Sequence, residues 1–557
     1  MIANIHTFLL RQGKVVDSQT GSVTVQDVLV GDRKIMQIAP HIEPGLTTQV
    51  IDCRGKIVTA GFVDAHVHIE SSMVLPQTFG AAVLAQGTTT VIADPHELVN
   101  VSGVDGLTRF LEEASQAPID IFTVVPSSVP ATPFDTNGAG QVMAQDMQPL
   151  VHRDDIVGLG EVMCFCDVIN GKKHILDKIA LFKDKTVNKT IDGHTAGMPE
   201  DWLEAYVKVG VQNDHECIDE ESLLHRYRLG MNIYMREGSA ARNAALLLTA
   251  IQKHHLDVSR FAFCTDDKHL ATIAEEGHIS YIVSMALRMG FSWGEVARMA
   301  SYNPCSYYHL EERGNIREGY LADIVVTDEA CQQIDFVLKN GQVVATDKQL
   351  LVQPQRTAFC YPNTVHFRKL TAADFTLPEE RKRLAMELVN GQLITNKVAL
   401  EADEWKSLPM LATVCRHERG QQQTIPVCLI KGYGIRNGAV ATSVSHDSHN
   451  VVCAGDNATD MAVACNRLKA LGGGYVVASE GKVIGEFALP AYGLMSLLDA
   501  KTASEEIDQV EKKAYALGVN PHIDAFITLS FTALPVIPFI RLLDTGLFDV
   551  IEQKFIG

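Results

Sequence analysis

Between residues 57 and 310 the chain repeats one unit, a short apolar run followed by a segment of helix length. The runs lie at 57–68, 87–94, 120–127, 156–163, 190–195, 211–216, 231–236 and 261–266. Each is of strand length and is separated from the next by turn-forming residues. Strands that alternate with helices pair in parallel, and eight of them over this length are what a closed (β/α)8 barrel of the TIM type requires. The expected class is therefore α/β.

The flanks read differently. Short alternating segments broken by Gly13, Gly21 and Gly31 occupy residues 8–53, and β character returns after Gly314. The simplest architecture inserts a barrel of 57–313 into a small β-sandwich-like domain made of 1–56 and 314–350. A Pro-containing stretch at 351–364 reads as a linker, and 365–557 as a C-terminal α+β domain. Helical periodicity there covers 458–471 and 503–517, and Gly472-Gly-Gly474 makes a turn.

Alternate residues of a strand face one side, so His66 and His68 at the end of the first run can reach a common point. An isolated His-x-His pair has little force. Glu161, His194, His215 and Asp266, however, sit at the same ends of four other predicted strands. That is the rim where such barrels place their chemistry. All six are nitrogen or oxygen ligands suited to borderline or hard divalent metals. Six ligands exceed the needs of one catalytic ion, so two metals sharing a carboxylate are expected. Histidine and carboxylate ligands leave manganese, iron and zinc all open.

Composition limits the partners. A net charge of −19 and a pI near 5.5 argue against nucleic acid and anionic membranes, and point to a small neutral or cationic substrate. The apolar stretch from Ala525 to Ile540 is interrupted by Pro535 and Pro538 and reads as buried core. The first residues lack the pattern of a secretory signal, and 12 scattered cysteines suit reduced thiols in the cytoplasm. Cys164 and Cys166 are expected to be core thiols rather than ligands.

These same residues carry a family resemblance. Gly61-Phe-Val-Asp-Ala-His-Val-His-Ile-Glu-Ser-Ser-Met73 resembles the opening strand of the amidohydrolase superfamily, and its Glu-Ser-Ser-Met extension resembles adenine deaminases of the bacterial type. Asp94-Pro-His-Glu97, Asp192-Gly-His194, Asn213-Asp-His-Glu216, Arg236-Glu-Gly-Ser239 and Cys264-Thr-Asp-Asp267 are similar to that family in the same order. Ser445-His-Asp-Ser-His-Asn450 resembles its C-terminal signature. Two loops depart from the family pattern, at Cys164-Phe-Cys-Asp167 and at Lys268-His269-Leu270, which leaves the purine preference open.

The resemblance implies hydrolytic deamination of adenine in purine salvage at a binuclear centre, with manganese or iron favoured and zinc possible. It implies His66 and His68 on one metal with Asp266, His194 and His215 on the other, and Glu161 between them. Asp266 would also move the proton from hydroxide to the departing ammonia. Glu97 or His96 would protonate the ring, while Arg236, Ser239 and His446 would meet the substrate and Asp267 would orient a histidine. His446 and His449 could alternatively hold a further metal. A homo-oligomer, with a dimer as the simplest form, is expected. A cyclic-amide hydrolase of the same superfamily would carry a carboxylated lysine where Glu161 stands, and a non-catalytic scaffold would show gaps in the ligand set.

Overall fold

A computed structural model describes residues 7–239, 241–352, 359–389, 392–417 and 424–556. Residues 1–6, on which the expectation about a secretory signal rests, and 353–358 of the expected linker lie outside the described residues.

The apolar runs of the middle segment form strands β1 (Phe62–Val67), β2 (Thr88–Ala93), β3 (Asp120–Val125), β4 (Ile156–Val162), β5 (Thr190–Gly193), β6 (Asn213–Asp214), β7 (Asn232–Arg236) and β8 (Phe261–Cys264). Strands β1 to β5 make one parallel sheet and β6 to β8 another. On one side the Asp266 amide donates to the His66 carbonyl (2.9 Å) and the His68 amide to the Asp266 carbonyl (3.1 Å). On the other, the Gln212 amide reaches the Ile191 carbonyl at 3.1 Å, so the ring closes. Every residue of β1, β2 and β4 is buried, as a parallel sheet covered on both faces demands.

Two boundaries differ from the expected ones. The run 57–68 is not one strand. Ile57–Ala60 pairs antiparallel with Ile324–Thr327 and belongs to the outer sheet, so the barrel begins at Phe62. Gly61 is the pivot: a Cβ there would lie 2.2 Å from Thr89 Oγ1, so a side chain would block the passage from one sheet to the next. The sixth run shrinks to Asn213–Asp214, because its Gln, Asn, Asp and His residues are poor strand formers and leave the ladder early.

The outer sheet has nine strands, five from residues 7–60 and four from residues 324–350, joined across the barrel insertion. Leu10, Val28, Val30, Val58, Ile324 and Leu338 form its core.

The C-terminal domain carries an eight-stranded sheet whose central strands are Met410–Val414, Val451–Gly455 and Ala439–Thr442. Helix Ala458–Leu471 packs on it, opened by the Asn457 side chain accepting from the Asp460 amide and closed by Gly472 at φ 79°. Helix Ala500–Ala516 starts before the expected 503 because Asp499 caps it through the Thr502 amide. The run from Ala525 to Ile540 is only partly core: Phe526 and Leu529 are buried, but Val536 and Phe539 are 37% and 44% exposed. Its prolines break it into short turns that cannot all face inward. Among the described residues no helix is long and apolar enough to cross a membrane.

This domain seats on the C-terminal face of the barrel, against the loop after β3. Asn450 Nδ2 donates to the Thr136 carbonyl at 2.9 Å, the Thr136 amide to Asp544 Oδ1 at 3.0 Å, and Thr545 Oγ1 to the Phe134 carbonyl at 2.6 Å.

Candidate metal centre and active site

The rim of the barrel gathers the six strand-end residues into one buried cluster. His66 Nε2 and His68 Nε2 lie 3.2 Å apart. Asp266 Oδ1 is 2.9 Å from His68 Nε2 and 3.9 Å from His66 Nε2. Asp266 adopts a left-handed backbone (φ 58°), a strained conformation of the kind found at functional sites. Glu161 occupies the centre. Its Oε1 is 3.5 Å from His68 Nε2, and its Oε2 is 2.9 Å from His194 Nδ1 and 3.2 Å from His215 Nε2.

The surrounding residues aim these groups. Asp94 Oδ2 accepts the Glu161 amide at 2.9 Å, and this passage requires Gly160, whose Cβ would lie 2.3 Å from that oxygen. Asn213 accepts the Gly193 amide at 2.9 Å and donates to Asp192 at 2.6 Å, which ties the β5 and β6 ends that carry His194 and His215. His68 Nδ1 donates to the Asp94 carbonyl at 2.8 Å. In the neutral ring that bond leaves the Nε2 lone pair directed at Asp266 and His66.

The electrostatics are those of a cation site. Burial would raise the Glu161 carboxyl, yet His194 and His215 hold it well below the usual range. Burial also opposes ionisation of Asp266, and Arg236 and then His68 overcome it. Burial would push His68 and His215 down, but Asp266 carries the first and Glu161 and Glu216 the second well above their ordinary value. A divalent cation would take the place of those protons, since imidazoles ligate only when deprotonated. Converging imidazole lone pairs among buried carboxylates therefore fit such an ion. His66, His68 and Asp266 have ligand atoms mutually within 4.8 Å, as do His66, Glu161 and His215.

Around this floor the other expected residues are placed unevenly. Arg236 binds Glu216 through Nη1 (2.6 Å) and Nη2 (2.9 Å) and also donates to Asp266. His96 Nδ1 lies 3.2 Å from Glu161 Oε1. Glu97 is held from the C-terminal domain, with His446 Nδ1 2.6 Å from one oxygen and His449 Nε2 3.7 Å from the other. His446 also stacks on Phe531, ring centroids 4.8 Å apart. Ser239 does not reach the cavity: its hydroxyl donates to Thr272 Oγ1 (2.8 Å) and accepts the His269 amide (2.9 Å), so it braces the loop after β8. Asp267 accepts from Ser71 Oγ rather than from a histidine. Cys164 lines the cavity, with its thiol 3.3 Å from Ser128 Oγ, and Cys166 is exposed.

Sequence reasoning missed Glu216 and Asp447. Glu216 follows His215 in the chain, and its partner Arg236, at the end of β7, meets it only in the fold. Asp447 comes to the site only through domain docking.

Together these residues line a cavity of about 460 Å³. Its floor is the histidine and carboxylate cluster, and its upper wall is apolar: Phe134, Met163 and Phe165 from the barrel, Phe531, Leu534 and Val536 from the C-terminal domain.

A (β/α)8 barrel with His-x-His at the end of β1 and acidic or imidazole side chains at the ends of β4, β5, β6 and β8 is the arrangement of a hydrolase of the amidohydrolase type. The sequence profile of the amidohydrolase family matches residues 57–347, and that of the adenine deaminase C-terminal domain matches 385–554. The chain is 38% identical to the adenine deaminase of Lysinibacillus sphaericus (strain C3-41) over 98% of this chain and 94% of that protein. It is 36% identical to that of Desulfitobacterium hafniense (strain Y51), over 98% and 96%, and 36% identical to that of Kosmotoga olearia, over 99% and 96%. The chain belongs to the adenine deaminase family of the amidohydrolases. Divalent metal binding follows from that membership together with the cluster described above.

Proposed function

We propose that this chain deaminates adenine hydrolytically, giving hypoxanthine and ammonia, and that it serves purine salvage in the cytoplasm as a homo-oligomer, a dimer being the simplest form. The observation that carries the reading is the convergence of His66, His68, Glu161, His194, His215 and Asp266 beneath a cavity with an apolar upper wall, in a chain whose near full-length relatives are named adenine deaminases.

His66, His68 and Asp266 would hold one divalent ion and His194 and His215 a second, with the Glu161 carboxylate lying between the two sets. Manganese or iron is favoured and zinc is possible. Bound there, they would supply Lewis acidity and ionise water near neutral pH. Water adds at C6 of the purine, the bond from C6 to the exocyclic nitrogen breaks, and the nitrogen leaves as ammonia. Asp266 takes the proton from the attacking oxygen and delivers it to that nitrogen. Arg236, fastened to Glu216, holds Asp266 in place for both transfers. Ring protonation falls to His96, which faces the cavity, since Glu97 is engaged by His446 and His449. The apolar wall excludes bulk water and sandwiches the flat base.

Metal analysis combined with an absorbance assay tests this, using protein reconstituted with manganese, iron or zinc and offered adenine, related aminopurines and cyclic ureides. Adenine turnover that rises with metal content up to two ions per chain is expected. Turnover of a cyclic ureide without turnover of adenine would overturn the reading, and light scattering checks the oligomer.

A further inference from the structure

Part of the cavity's upper wall is a strap that its own backbone cannot hold. Leu534, Pro535, Val536 and Ile537 follow one another in the chain and all line the cavity. Pro535 and Pro538 carry no amide hydrogen, so the run makes only short turns, with the Leu534 amide 3.3 Å from the Phe531 carbonyl and the Ile537 amide 3.3 Å from the Leu534 carbonyl. The remaining carbonyls must find donors elsewhere or turn to water. Water is close, since Val536 and Phe539 are exposed.

One side chain supplies the donors. Arg541, on the strand Ile540–Leu543, is fully buried and does not itself line the cavity. Its Nε donates to the Ile537 carbonyl at 2.7 Å, and its Nη2 to the carbonyls of Leu393 and Pro538, each at 2.8 Å. Leu393 is a further wall residue, so the guanidinium ties together two stretches of chain that meet over the cavity. At its other end the strap is pinned by His446, whose amide donates to the Ser530 carbonyl at 3.1 Å and whose ring stacks on Phe531.

Among the described residues no carboxylate pairs with Arg541 and its Nη1 has no partner, and burial alone pulls the guanidinium down from its ordinary value to about 9. It remains a cation at neutral pH. A buried cation without an anion is a poor way to stabilise a core, where an apolar side chain of similar length serves as well or better. An apolar side chain cannot, however, satisfy three carbonyls on two stretches of chain at once. The distinct contribution of the guanidinium is geometric: it fixes where Leu534–Ile537 stand over the floor of histidines and carboxylates.

We propose that Arg541 is a positioning residue for the substrate: holding the strap from outside the cavity, it sets the height of the apolar wall over the floor and so the fit around a flat base. This role rests on the activity proposed above, and adds to it a source of substrate affinity that touches neither the substrate nor the metal ligands.

Full-length Arg541→Met and Arg541→Lys are compared with wild type at matched metal content and well below each melting temperature. The measurements are steady-state kinetics with adenine, calorimetry with hypoxanthine, and hydrogen exchange of the peptide covering 531–540. Without the guanidinium the three carbonyls turn outward to water and the strap lifts. Wall contacts made alike with ground state and transition state set KM rather than kcat. Arg541→Met should therefore raise the adenine KM and the hypoxanthine Kd by roughly 10–100-fold, the worth of a hydrogen bond to a charged group, with kcat much less changed. Exchange should quicken in 531–540 while the helix Ala458–Leu471 keeps its protection. Arg541→Lys, a point charge without the fork, should fall between. A merely structural role would quicken exchange across the whole domain and lower kcat through the active fraction, with KM and Kd unchanged, which would overturn the proposal. Unchanged affinity in both variants with the strap loosened would overturn it too, and if Arg541→Met does not fold, Arg541→Lys decides by the same criteria. A wild type that binds no purine would overturn both this role and the proposed activity. Hypoxanthine affinity that follows the strap, in a protein that does not turn over adenine, would count against the activity alone and leave the role of Arg541 standing.

Discussion

Arg236 on β7 grips Glu216 at the end of β6 with two hydrogen bonds, 2.6 Å and 2.9 Å, and turns the same guanidinium to Asp266. The fork fixes the direction of a carboxylate whose own backbone is strained. Lysine offers a point charge with no fork. Arg236→Lys should therefore lower kcat by roughly 10–100-fold, the worth of a charged hydrogen bond, with a smaller change in KM. Steady-state kinetics on metal-replete protein decides it, and an unchanged kcat would remove Arg236 from the proton-transfer geometry.

Glu161→Gln should cost metal as well as rate. The neutral amide gives His194 and His215 no anionic partner and compensates neighbouring cations poorly. Even outer partners of metal ligands are worth about 10–100-fold, so turnover should fall by roughly 100-fold or more. Elemental analysis should show less than two ions per chain. Full occupancy with normal turnover would show that Glu161 is not shared between them.

Asp266→Asn should lower turnover by roughly 10²–10⁴-fold with substrate binding much less affected, as for the loss of a positioned acid-base group. Its neighbour supplies the control. Asp267 is engaged by Ser71 instead of the imidazoles, so Asp267→Asn should be far milder. A metal-replete Asp266→Asn enzyme with wild-type turnover beside an inactive Asp267→Asn would exchange the two roles.

The Glu97–His446 contact should make domain docking sensitive to pH. Burial would lower His446, but Glu97 carries it up to about 9, from about 6.5 in the unfolded chain. A histidine raised in the folded state contributes stability that is complete below about pH 6.5 and is lost as pH rises through about 9. Glu97 is depressed, with burial opposing and His446 prevailing, so its contribution disappears only in acid, below the unfolded carboxyl range. Wild type should thus lose apparent melting temperature between pH 6.5 and 9 more steeply than His446→Phe, which keeps a ring against Phe531. Parallel curves for the two proteins would refute the coupling.

The barrel was readable because a parallel sheet buried on both faces must be written in apolar runs, and β1, β4 and β8 are written that way. The six strand-end residues were readable for a related reason, since topology alone puts strand ends on one rim. What stayed hidden depended on distance in the chain. Gly61 separates two sheets, but only the approach of Thr89 shows why. Glu216 looks like any solvated acid until Arg236 is placed opposite it. Ser239 sits in a motif of family residues, yet its hydroxyl is spent on Thr272 and the His269 amide. Asp447 and Phe531 reach the cavity only because one domain lands on another, and no local pattern encodes that landing.

The order of these pieces along the chain gives that landing a further meaning. β8 and Asp266 precede the whole C-terminal domain in the sequence. Asp447, Phe531 and Val550, which line the cavity above it, come from the C-terminal domain alone. Without that domain the same rim side chains would lack the walls that enclose the cavity. The cluster and its roof are thus written in separate parts of the sequence, and losing the second leaves the barrel without a chamber to work in.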